Sequence, residues 1–173
     1  MSTLLSALEP LLDLDPVRWG GLPDATVAQF DALFGPPDER IDTVLGVYPA
    51  SRTRYRHDGA AKGLLMWARE GIAVMVQTVK PPDQAVLGEL PEPDAVLAHE
   101  ILVPVAYAHE YLYCATGLVL TVARAFRGGM PDRIVRCRGI KRLDRVEAFG
   151  PAYYQAFEDR IQWAGLDAGV EPT

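Results

Sequence analysis

Histidine next to glutamate is the pair in this chain best suited to moving a proton. It occurs twice, at His99-Glu100 and His109-Glu110, ten residues apart. On neighbouring antiparallel strands the two pairs would converge, and two histidines with carboxylates are also a ligand set for zinc or a similar metal. The helical zinc-protease motif, however, needs its histidines four apart on a helix, and these lie in a strand pattern. The chain is therefore expected to hold no metal and no cofactor. His109 and Glu110 are kept as acid and base candidates; the plainer reading is an ordinary surface or half-buried histidine.

Two further groupings could bind. Tyr107, His109, Tyr111 and Tyr113 alternate, so they share one face of a strand. With Trp67 at the matching place in an earlier segment, Tyr107, Tyr111 and Tyr113 are the expected contacts for a protein partner, since tyrosine offers contact area at low entropy cost. Cross-strand packing under a helix accounts for the same residues. Arg52, Arg54 and Arg56 share a second strand face, and Arg136 and Arg138 a third. Between Arg124 and Arg145 there are eight basic residues and two acids. Guanidinium groups suit phosphate and carboxylate alike, so these five arginines are the anion-binding candidates. If the two arginine strands were neighbours, like charges would need carboxylates or an anionic ligand between them. A solvated face of arginine–glutamate pairs is the alternative.

The remaining chemistry is mostly excluded. Gly128-Gly129 lacks the lysine and the helix of a phosphate loop, and neither a nucleophile elbow nor a Cys-x-x-Cys is present. Cys137 alternates with Arg136 and Arg138 and is expected in the core; Cys114 falls at a turn, and two free thiols are expected. A length of 173 residues with 49% hydrophobic and 23% charged content fits a single domain spanning 1–173. A net charge of -6 disfavours nucleic acid as a partner. The N-terminus has no basic head, and no apolar run is long enough to span a bilayer, so no membrane association and a cytoplasmic location are expected.

These residues must be carried by a scaffold, and the chain indicates which. Met66-Trp67-x-x-x-Gly71-Ile72-x-Val74-x-Val76 returns as Leu112-Tyr113-x-x-x-Gly117-Leu118-x-Leu120-x-Val122. Each reads as a β-hairpin, and in the first Gly71 supplies the positive φ of a short loop. A Pro-Asp pair precedes each copy, at Pro37-Asp38 and Pro93-Asp94. Helices are expected over Ser2 to Leu14, with a kink or break at Pro10, and over Ala25 to Phe34, capped by Asp24. A third is expected over 144–164. The strands between them give an α+β fold: an antiparallel sheet of two tandem hairpin-containing repeats, about 24–82 and 91–140, with helices on one face and the other face wet or free for a partner.

Phe34-Gly35-Pro36-Pro37-Asp38 with Trp67 and Gly71, then Pro93-Asp94 with Tyr113 and Gly117, resembles the tandem repeats of the β-lactamase-inhibitor proteins and related small lipoproteins of the barrel-assembly machinery. The resemblance covers Asp24 to Val122. It departs from that family in lacking a leader and a clear helix before the second unit, and in placing both cysteines in one half. It implies a sheet that binds protein and not an enzyme. The expected function is thus a non-enzymatic intracellular binding module in an immunity, inhibitor or accessory role, with homodimerisation open. The alternative is a small α+β enzyme using His109 and Glu110 on an anionic small molecule, and a third reading is RNA or phosphate binding through the arginines.

Overall fold

The computed structural model describes residues 3–45, 48–59, 61, 63–78, 88–103, 106–125, 133–141 and 161–163. Two helices, α1 (Thr3–Leu12) and α2 (Val27–Phe34), precede a nine-stranded sheet. Its strands are β1 (Glu39–Leu45), β2 (Tyr48–Arg56), β3 (Gly63–Arg69), β4 (Ile72–Thr78), β5 (Ala95–Val103), β6 (Ala106–Tyr113), β7 (Leu118–Ala125), β8 (Arg133–Ile140) and β9 (Ile161–Trp163). Every described pairing is antiparallel, in the order β1-β2-β3-β4-β8-β7-β6-β5-β9. Two four-stranded meanders, β1–β4 and β5–β8, thus join through their last strands. No helix among the described residues is long and apolar enough to cross a membrane.

Both repeated phrases fall on hairpins. Glu70 and Gly71 take φ of 48° and 78°, the two successive left-handed residues that a tight turn between twisted strands demands. Gly117, at φ 68°, closes the β6–β7 turn. The copies nevertheless occupy different places: the third and fourth strands of one meander, the second and third of the other. The two Pro-Asp pairs, in contrast, do the same thing twice. The Asp38 N–H donates to the carbonyl of Arg54, the register partner of Glu39, and the Asp94 N–H donates to that of Leu112, the register partner of Ala95.

The helices cover one face. Leu4, Leu8 and Leu11 recur at helical spacing, and with Leu12 they are buried against Leu64, Met66, Val76, Leu118, Leu120 and Cys137. Pro10 does not break α1; it is itself buried, and the helix ends two residues later. Phe30 of α2 is fully buried beside Tyr55, ring centroids 6.0 Å apart. The N-cap of α2 is Thr26, not Asp24. The Ala25 carbonyl accepts from Ala73 N–H and the Val27 N–H donates to Gly71, so the chain stays extended along the free start of β4 until Thr26. There Thr26 and Gln29 form a reciprocal capping box. Asp24 instead pairs with Lys141 at 2.6 Å.

Two expectations need correction. The opposite face is not wet at its centre: Val74, Met75, Leu112, Val119 and Ile140 form a second buried cluster, with Leu45, Trp67 and Ala95 packed against it. Among the described residues that face opens toward β1–β3 and at Arg136 of β8. Residues 161–163 belong to a strand, not to the helix expected over 144–164; β9 adds to the outer edge of β5, whose backbone groups would otherwise lack sheet partners. The rest of 144–164 lies outside the described residues.

Candidate functional site

Register decides which side chains meet. One row across the helix-covered face runs Arg40, Thr53, Met66, Val76, Gly139, Leu118, Tyr113. The row beside it, on the opposite face, runs Glu39, Arg54, Leu65, Gln77, Arg138, Val119, Leu112, Ala95. A parallel row on that second face runs Ile41, Arg52, Trp67, Met75, Ile140.

His109 and Glu110 do not form an acid–base pair. As consecutive residues of β6 they project to opposite faces. His109 lies opposite Val122 and is buried on the helix side. Glu110 lies opposite Thr121 on the other side, 1% exposed, where it pairs with the equally buried Arg138 and accepts from the Thr121 hydroxyl at 3.3 Å. Arg138 also donates to Thr121 at 3.0 Å. This buried triad is an ion pair inside an apolar cluster, and it uses the carboxylate that an acid–base mechanism would need. The side chains of His99 and Glu100 lie outside the described residues. Among the described residues no three potential metal ligands gather.

The aromatic contact set is divided as well. Tyr113 is buried and Tyr111 half-buried in the core beneath the helices, whereas Trp67 is half-buried on the opposite face. One partner surface therefore cannot reach all of them. The phrase Met66-Trp67 matches Leu112-Tyr113 in sequence, but Met66 and Leu112 lie on opposite faces, and so do Trp67 and Tyr113. The side chain of Tyr107 lies outside the described residues.

Burial pushes the Tyr113 phenol up to about 12, with Tyr111 and Asp94 adding to the shift. Burial likewise pushes Tyr55 up to about 12, helped by its hydrogen bond to Asp31 of α2 at 2.9 Å, and pushes the Cys137 thiol up to about 12. Arg40, also bound to Asp31 at 2.6 Å, has its pKa raised by that carboxylate. In the unfolded chain the thiol titrates near 9.0 and the phenols near 10.0. Between those values and about 12 the unfolded chain has lost protons that the folded chain still holds. The stabilisation is therefore complete below pH 9.0 and disappears as the pH climbs toward 12. Urea-unfolding free energies are expected to fall steeply over that interval; a flat profile to roughly pH 11 would contradict the burial of all three groups.

All five arginine candidates share the second face, but β2 and β8 are not neighbours: β3 and β4 separate them. The like-charge conflict considered from sequence therefore does not arise. Arg52, half-buried, donates to Glu39 at 3.0 Å, and Arg56, exposed, to Asp38 at 2.8 Å. Such exposed pairs contribute little to stability. Arg138 belongs to the buried triad. Arg54 and Arg136 are exposed and have no carboxylate within ion-pair distance among the described residues. Asp38, Glu39, Arg54, Tyr55 and Arg56 line an open depression at the sheet end. Between the arginines lie Leu65, Trp67 and Gln77, each half-buried. Sequence reasoning passed over Leu65 and Gln77. Their strand alternation was visible, but their place between the two arginine strands follows only from strand order.

Comparison of the chain with protein-family models, curated proteins and solved structures gives no significant match.

Proposed function

We propose that this chain is a non-enzymatic binding module that grips a protein partner on the open end of its second sheet face. The observation that supports this reading is the composition of that end. Leu65 and Trp67 stand half-buried beside Arg52 and Arg54, where the face passes from a closed apolar cluster to an exposed margin. Tryptophan and arginine at the edge of a rigid sheet are the residues that most often dominate protein interfaces. The enzyme reading loses its acid–base pair, because His109 and Glu110 point apart. An inhibitor, immunity or accessory role fits the resemblance to the β-lactamase-inhibitor proteins. In this reading the repeating units are the meanders β1–β4 and β5–β8, each entered through a Pro-Asp pair. Affinity capture with the full chain as bait tests the proposal. A partner retained by wild type and by Tyr111→Ala, but lost with Trp67→Ala and with Leu65→Asp, is the expected result. Retention that is unchanged by both Trp67→Ala and Leu65→Asp overturns it.

A further inference from the structure

The charge on the second face runs against the charge of the chain. The protein carries a net charge of -6. Yet the described side chains of this face include Arg52, Arg54, Arg56, Arg69, Arg136 and Arg138 against Glu39 and Glu110, with Asp38 at the margin. Three of the guanidiniums are matched one to one: Arg52 by Glu39, Arg56 by Asp38 and Arg138 by Glu110. Two of the other three are exposed, Arg54 and Arg136. Glu39 lies opposite Arg54 in register, but its carboxylate is taken by Arg52. Arg136 lies opposite Thr121, which carries no charge.

Arg54 and Arg136 stand on either side of Leu65 and Gln77, with Arg136 two residues along β8 from Arg138, the register partner of Gln77. Three strand spacings separate β2 from β8, and with that offset along the strand their backbones stand more than about 15 Å apart. A single small anion cannot bridge that distance, and the ligand must carry its negative charges at more than one point. We propose that the occupant of this face is an acidic segment of a protein partner, one carboxylate held by Arg54, another by Arg136, and apolar side chains laid on Leu65 and Trp67. This rests on the binding-module reading above and names the chemistry of its partner. A polynucleotide also carries spaced negative charge, but it fits less well. A continuous phosphate backbone would be repelled by the acidic remainder of the chain. The floor also offers one half-buried indole where single-stranded RNA would want several rings to stack on.

The test is fluorescence anisotropy on the full chain with three labelled probes: a glutamate–leucine peptide, a serine–leucine peptide of equal length, and oligo-uridine. The acidic peptide alone should bind, and its affinity should fall with rising salt. Arg54→Glu combined with Arg136→Glu should weaken it by about tenfold or more, while Arg56→Glu, whose guanidinium is already matched by Asp38, should change it far less. Both reversed positions are exposed, and an unchanged circular dichroism spectrum confirms the fold. Equal or tighter binding of oligo-uridine, absence of acidic-peptide binding, or indifference to the double reversal overturns the proposal. The two readings fail separately. If Trp67→Ala abolishes capture of a partner and the double reversal does not, the acidic assignment falls while the binding module stands. If neither changes capture, the binding face itself is wrong.

Discussion

Arg138→Met is expected to lower the free energy of unfolding by about 3–5 kcal/mol, read from the urea midpoint. Arg138 and Glu110 are 3% and 1% exposed, on the sheet face that carries the buried cluster of Val119, Leu112, Ile140 and Met75. Charges taken out of water are costly, and the guanidinium offsets that cost for the carboxylate. The substitution takes the arginine of this buried pair away from the Glu110 carboxylate. The double variant Arg138→Met with Glu110→Leu removes both charges and should recover most of the loss, because apolar replacements of a buried pair are often close to neutral. A strongly positive coupling energy in the double-mutant cycle is thus expected. A single-variant cost below about 1 kcal/mol would mean that water reaches this layer, which would contradict its closure.

Gly139→Ala carries the second large effect, of about 3 kcal/mol. Gly139 lies in β8 on the helix-covered face, between Val76 and Leu118 in register. The Trp19 ring lies directly over it, and an added Cβ would overlap carbons of the indole. Trp19 is 4% exposed, and its Nε1–H donates to the Thr116 carbonyl at 3.1 Å, so the ring fixes the N-terminal segment across the β6–β7 turn. It cannot shift without giving up that bond and its burial. Trp19→Ala alone should cost about 3–5 kcal/mol, and in that background Gly139→Ala should add less than about 1 kcal/mol. Full additivity of the two would show that the glycine is needed for something other than the indole.

These residues also show what was legible in the sequence. The hairpins were visible because alternation and a glycine of positive φ are local properties; Gly71 takes the φ expected of it, and Gly117 does the same in the second hairpin. The Cys137 core position was visible for the same reason: its neighbour Arg136 is exposed while it is buried. Parity between distant strands was not. A β-bulge between Trp67 and Ala68 and another between Thr121 and Val122 shift the alternation against the partner strand. No local pattern reveals that Trp67 faces away from Tyr113. The Glu110–Arg138 pair spans 28 residues and exists only because β8 lies between β4 and β7, a strand order the sequence does not encode locally. The Thr26 cap was missed because Asp24 is an equally good cap by residue type. The choice was made by the backbone pairing of Ala25 and Val27 with β4. In the Pro-Asp pairs the relevant signal was present but attached to the wrong unit: they mark the first strand of each meander, not the aromatic–glycine phrase.

Chemical-shift mapping on the isotope-labelled chain, with the glutamate–leucine peptide as titrant, tests the binding face most directly. Perturbed signals are expected at Arg54, Leu65, Trp67, Gln77 and Arg136, with Tyr111 and Tyr113 unmoved beneath the helices. Perturbations confined to Tyr111 and its neighbours on the helix-covered face would contradict that expectation.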